Sequence, residues 1–187
     1  MRRKDREMDQ EFAYAVIDRS PYGVLACVTP EGKPYAIPLS IARDGERLFF
    51  HSATAGSKVN YLPDGQEVSL TFVSHVQVPE LFSPEALESI LNEPGAAASL
   101  GSKVFTTEFE SACVQGRIYE LKDPTDKMAG LRCVCEKFTP DKMAYFELAA
   151  SNALKITKVY EIRIETLTGK RKRFDAQGNE LKWQAKS

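Results

Sequence analysis

The side chains best suited to chemistry lie close together in this 187-residue sequence, in the run His51-Ser52-Ala53-Thr54-Ala55-Gly56-Ser57-Lys58. An apolar stretch, Leu48-Phe49-Phe50, leads into small residues, then a glycine, then a lysine where a short helix could begin. That arrangement suits a phosphate. Backbone N–H groups at a helix start point toward an anion and small side chains let it approach. Lys58 would add positive charge, and Ser52, Thr54 and Ser57 could add hydroxyl donors. The run is not a Walker A loop, which needs Gly-x-x-x-x-Gly-Lys-Ser/Thr. Taken alone it equally describes a glycine-started turn with a solvated lysine. His51 carries a group whose ordinary pKa of ~6.5 allows proton transfer near neutrality. The plainer reading is a strand-end histidine held by local hydrogen bonds. The second histidine, His75, reads as structural or solvent-facing. Cys133-Val134-Cys135 invites a metal reading, but helical residues two apart do not face each other and no histidine is near in sequence. No metal is expected, and these thiols read as small buried hydrophobes.

These residues need elements to hold them. Asp9 can cap a first helix whose apolar face is Phe12, Ala13, Val16 and Ile17, with Ser20-Pro21 as its stop. Strands follow over Tyr22–Thr29, Pro34–Arg43 and Glu46–Ser52, joined by the turns Pro30–Lys33 and Asp44-Gly45. Pro38 cannot donate to a ladder, so its strand is locally an edge or carries a bulge. Gly56–Leu62 is a short helix, and Glu67–Ser74 is a strand whose alternation breaks at Val73. Val78–Lys103 reads as an insertion or lid, with Ser83-Pro84 opening a helix and Pro94–Gly101 forming a loop. Phe109–Leu121 is a strand. Asp123-Pro124 starts an amphipathic helix along Met128, Leu131, Cys135 and Phe138, and Lys158–Leu167 is the last strand. A turn at Asp175–Gly178 leads into a polar tail. Six strands joined mostly by short turns, with helices at the ends and between late strands, predict a mainly β fold: one small antiparallel barrel with appended helices over residues 1–187.

Composition narrows the function. Twenty-five basic residues balance 26 acidic ones, which gives no footprint for a nucleic-acid backbone. No apolar run is long enough to span a membrane, and the charged N-terminus has no signal-peptide core. With four cysteines and no export signal, a reducing cytoplasm is the expected compartment. Arg2, Arg3 and Lys4 read as a flexible or partner-docking arm. Lys170-Arg171-Lys172-Arg173 reads as a solvated strand end.

Several segments in order resemble the pyridoxamine-phosphate-oxidase-like superfamily, and more closely its nitroimidazole-resistance-protein-like branch. They are Gly23–Cys27, Gly32–Ser40, Leu48–Ala53 with Gly56-Ser57-Lys58, Phe109–Gly116, and Thr168–Arg171. The resemblance implies a six-stranded antiparallel Greek-key split β-barrel, a homodimer, and two flavin sites at the dimer interface. It places Pro38, Leu39, Ser40 and Ile41 with their backbone along the flavin ring. His51, Ser52 and Ala53 fall beside the ring and ribityl chain, Gly56, Ser57 and Lys58 at the phosphate, and Ser111 on a neighbouring strand near the cofactor. The basic run could then neighbour the phosphate or an acidic substrate across the dimer.

The implied cofactor is FMN, with FAD also compatible, and protein groups near the ring would tune its hydride chemistry. The implied activity is a flavin-dependent oxidoreductase, drawing on a donor such as NAD(P)H and acting on substrates such as nitroaromatics, with His51 as the candidate catalytic group. A flavin-storage protein without turnover, or a barrel binding haem or a deazaflavin, are the alternatives. The arginine-leucine-proline-type ending of true pyridoxamine-phosphate oxidases is missing here, so oxidation of pyridoxine phosphate is not expected.

Overall fold

A computed structural model describes residues 3–92 and 97–182. Its helix α1 (Gln10–Arg19) begins at Asp9, whose carboxylate accepts from the Phe12 N–H at 2.8 Å, and ends at Ser20 before Pro21. The strands are β1 (Glu7–Met8), β2 (Gly23–Val28), β3 (Pro34–Leu39), β4 (Ala42–Asp44), β5 (Arg47–Ala53), β6 (Glu67–Gln77), β7 (Glu108–Leu121) and β8 (Thr157–Lys172). They form one antiparallel sheet in the order β3-β2-β6-β7-β8-β5-β4, with β1 added to β8. β3 and β4 sit at opposite ends of that order yet follow each other in the chain, separated only by Ser40 and Ile41. The chain therefore closes the sheet on itself where hydrogen bonding does not, and the result is the expected split barrel.

The strand count differs from six for two reasons. The expected second strand, Pro34–Arg43, divides at Ser40-Ile41 because its halves pair with different neighbours, β2 and β5. A short strand not expected from the sequence also follows the N-terminal arm: Glu7 pairs with Lys170 and Met8 with Gly169. Arg3 pairs only locally, with Asp5, whereas Asp5 pairs with Lys182 at 2.8 Å and Arg6 with Glu180 at 2.5 Å, so from Asp5 onward this segment is held to the C-terminal segment. Arg2 lies outside the described residues.

The barrel interior is filled by Leu25, Ile41, Leu48, Phe50, Leu70, Phe72, Val114, Ile118 and Ile162, and α1 plugs it with Ala13, Val16 and Ile17, all fully buried. Phe50 stacks on Tyr160 with ring centroids 4.9 Å apart. The expected break at Val73 is a bulge, where β6 slips register against β7 between Val73 and His75. A second irregularity falls at Gln115/Gly116 on β7, where any Cβ on Gly116 would collide with the Arg163 carbonyl. Such bulges bend long strands enough to wrap a barrel.

The remaining helices lie between the later strands. α2 (Ser57–Tyr61) is a single turn, and α3 (Pro84–Leu91) is capped by Ser83 as expected, its hydroxyl accepting from the Ala86 N–H. The loop expected at Pro94–Gly101 is partly helical: α4 spans Ala97–Lys103, and the remainder of that loop lies outside the described residues. α5 (Pro124–Phe138) is capped by Asp123 and leads through a 3₁₀ turn at Pro140–Tyr145 into α6 (Phe146–Ala153). Leu131, Phe146, Ala150 and Val159 make a second small core there.

The basic run departs from expectation. β8 continues through it to Lys172, which is 8% exposed and bonds Thr106, while Arg173 lies 3.5 Å from Glu110. Acidic and hydroxyl partners distant in sequence hold the run against the body, so it is not a solvated end. No described helix is long and apolar enough to cross a membrane.

Candidate functional site

β5 carries the chemistry toward the split. Phe50 and Ser52 point inward, at 0% and 4% exposure, while His51 and Ala53 face out. The β4–β5 ladder ends at the pair Ala42–Phe49. Continued by register, it would set Ile41 opposite Phe50, Ser40 opposite His51 and Leu39 opposite Ser52. Instead β3 turns away and sets Leu39 against Gly23 and Pro38 against Val24 on β2. From Phe50 to Ala53, β5 pairs with β8 alone. The split thus bares a strand edge, which is a row of backbone donors and acceptors. It faces the segment Pro38–Ile41, which the sequence had marked independently.

On that opposite arm, Pro38 and Ser40 are exposed and, with Tyr22 and Val24, line an open groove of about 530 Å³. Leu39 and Ile41 turn their side chains into the core, so they can offer only backbone. The Ile41 carbonyl is already taken. The Lys137 ammonium donates to it at 2.8 Å and to the Ile17 carbonyl at 2.9 Å, and burial lowers the pKa of this lysine. Of the two inward residues, Leu39 is thus the better placed for a backbone contact.

Beyond β5 the chain turns at Gly56, whose φ of +122° is open to glycine and strained for other residues. A Cβ there would meet nothing within 4 Å, so the space over this turn is free. Ser57 and Lys58 open α2, and no acidic side chain occurs from His51 to Lys58. A cation, several small hydroxyl residues and free space fit a phosphate group. Lys58 lies close enough to act on His51. Partial burial, followed by the Lys58 charge, lowers the His51 pKa below its ordinary value, so the ring is neutral at pH 7. Ser52 is turned inward and donates its hydroxyl to the Ala53 carbonyl at 2.8 Å. Beside it, the Tyr160 hydroxyl is buried, and burial raises its pKa.

Ser111 does not join this group within one chain. It pairs with Val73 and with Lys170, whereas His51 pairs with Val159. About 35 Å of extended β8 separates Val159 from Lys170. Ser111 lies instead toward the end of the sheet that holds Leu39, because Leu39, Gly23, Phe72 and Ala112 follow each other across adjacent strands. Near that end His75 approaches Glu108 at 3.3 Å in a half-buried polar cluster, in keeping with a structural role. Among the described residues no group of three or more His, Cys, Asp or Glu could hold a metal ion. Burial raises the Cys133 pKa to about 11, which makes it an inert thiol.

Sequence reasoning missed one feature. His51 also lines an apolar cavity of about 380 Å³ formed with α5, the 3₁₀ turn and α6. Phe146, Ala149, Ala150 and Ala153 recur at helical spacing and were the available signal.

A family model described as pyridoxamine 5'-phosphate oxidase matches residues 9–91, a stretch holding every expected cofactor position except Ser111. No curated protein sequence matches the chain. Three solved structures share the fold at low identity. A candidate 5-nitroimidazole antibiotic resistance protein from Bacteroides thetaiotaomicron is 19% identical, with 88% of this chain and 86% of that one covered and a TM-score of 0.65. The flavocytochrome Anf3 from Azotobacter vinelandii is 21% identical, with 92% and 70% covered and a TM-score of 0.65. The FAD and heme binding protein from Mycobacterium smegmatis is 21% identical, with 89% and 73% covered and a TM-score of 0.66. Residues 9–91 of this chain thus resemble the pyridoxamine 5'-phosphate oxidase family in sequence, and the chain shares its split-barrel fold with these three structures.

Proposed function

We propose that the protein binds a flavin, FMN in the first instance, across the split of the barrel and works as a flavin-dependent oxidoreductase. The observation that carries this reading is the bare β5 edge, Phe50 to Ala53, facing Pro38–Ile41 where the ladder stops. Fold relatives named for FAD binding support it. The flavin would supply hydride transfer, and the protein's part is to hold and tune it. The β5 edge and the Leu39 backbone would meet the polar edge of the ring, and Pro38 would give it an apolar wall. Ser57 and Lys58 would hold the phosphate. His51, neutral at pH 7, would accept a proton at its free ring nitrogen from the substrate side.

The separation of Ser111 from His51 favours a homodimer. A second copy could bring the Ser111 end of one barrel to the His51 end of the other and complete each site from two chains. NAD(P)H is the proposed electron donor, with a nitroaromatic or similar electron-poor acceptor.

The test is a visible spectrum of apo protein mixed with FMN and desalted. Two flavin bands retained at one FMN per chain support the reading, and NADPH oxidation is then assayed. A protein that loses FMN but shows a Soret band with haemin, or retains a deazaflavin, overturns it. FMN held with no turnover of any donor leaves the storage function instead.

A further inference from the structure

We propose that the cavity between β5, α5 and α6 is a second small-molecule site, built for a flat apolar molecule bearing one carboxylate, which Lys142 and His51 receive. Its volume, about 380 Å³, lies at the small end of the range of ligand pockets and suits one or two fused aromatic rings. Leu131, Phe146 and Ala150 form apolar walls and are themselves nearly buried. Tyr145 lines the cavity while 71% exposed, so its ring is available to cover a planar ligand.

The polar groups have one sign. No carboxylate lines the cavity, whereas Lys142 lines it, is exposed, and forms no ion pair among the described residues. The neutral His51 ring keeps one N–H to donate, and Lys58 beside it adds positive potential. An anion therefore meets a donor and a cation here, whereas a cationic ligand would be repelled by Lys142 and find no carboxylate in the lining. The inference does not rest on the flavin reading. α5, α6 and the turn between them contribute none of the residues assigned to flavin; of the cavity lining His51 alone is shared, and Lys58 reaches both sites only through its charge.

Equilibrium dialysis with 2-naphthoate and with 2-naphthalenemethanol, which has the same rings without the charge, tests the proposal on apo protein and on protein loaded with FMN. The expected result is one naphthoate per chain, bound roughly tenfold or more tightly than the alcohol, since a charge-assisted bond separates them. Lys142→Gln should lower naphthoate affinity to the level of the alcohol and leave the alcohol unchanged; Lys142 is on the surface, so this variant should fold. Ala150→Phe should exclude both compounds. Equal binding of acid and alcohol, or a Lys142→Gln variant that binds naphthoate as wild type does, overturns the proposal. Displacement of naphthoate by FMN one for one also overturns it, since the cavity would then belong to the flavin, and the flavin reading would survive. Naphthoate binding to a protein that retains no FMN sinks the flavin reading and leaves this one standing.

Discussion

The two sides of this barrel are built differently. On the closed side, β6, β7 and β8 run for 11, 14 and 16 residues in long antiparallel ladders, each interrupted by one bulge, with Phe72 and Tyr160 among the largest core side chains they bury. On the open side, β3 and β4 have six and three residues, each has one neighbour, and β5 loses its partner on one edge after Phe49. The β1–β8 pairing and the Arg173–Glu110 contact tie the terminal segments to the closed side, and Arg6–Glu180 joins those segments to each other. Backbone without strand partners, a lysine beside a neutral histidine and two grooves mark the open side. Stability is concentrated where pairing is complete, and the proposed flavin site lies where the fold leaves pairing undone.

That division can be broken or sharpened by substitution. Phe72→Ala removes a fully buried ring from the closed side and should cost about 3–5 kcal/mol of stability, read by denaturant unfolding. FMN affinity of the protein that remains folded should hold, and a matching loss of affinity would mean the two sides are not separable. Lys58→Ala should do the reverse. FMN binding at low salt should weaken by about 1.5–3 kcal/mol, as for a lost charged hydrogen bond, with unfolding unchanged. An unaltered dissociation constant would remove Lys58 from the site.

Glu180→Gln probes the closed side more gently. Its hydrogen bond from Arg6 comes first among the causes that hold its pKa at about 2, below the ordinary carboxylate range. A depressed carboxylate pKa stabilises the fold above its unfolded value of ~4.3, and that stability is lost as pH falls toward 2. Wild type should therefore lose on the order of 1 kcal/mol more than Glu180→Gln over that window, after allowance for solvent screening. Parallel acid-unfolding curves would contradict the assignment. The smallest effect is on His51. Removing Lys58 should raise the His51 pKa toward its ordinary value, read from the imidazole proton shift in NMR, because the lysine charge lowers it now. No movement would place the two groups further apart than the structure does.

Much of the fold was legible because its signals are local. Asp44-Gly45 does turn β4 into β5, with Gly45 at φ +58°, and Asp9, Ser83 and Asp123 do cap helices. The break at Ser40-Ile41 was not legible. Pro34–Arg43 reads as one β stretch, and the change of neighbour from β2 to β5 is decided by tertiary closure. The basic run misled because charge runs read as solvated, while its partner Glu110 and the Thr106 that Lys172 bonds lie some sixty residues away in sequence. α6 was missed because its buried face is mostly alanine, a weak periodic signal. The proposed site residues from Pro38 to Lys58 rest on local chemistry and resemblance. What the sequence left hidden is that Ile41 has its carbonyl occupied by Lys137 and that Ser111 lies far from His51 in the same chain.

The central claim, that the split itself is the flavin site, is tested most directly by amide hydrogen exchange with and without FMN. The account predicts that FMN slows exchange in peptides covering Pro38–Ile41 and Phe50–Lys58, and leaves the paired centres of β6 and β7 around Leu70 and Val114 unchanged. Protection absent from both split segments while FMN is bound would place the cofactor elsewhere and contradict the account.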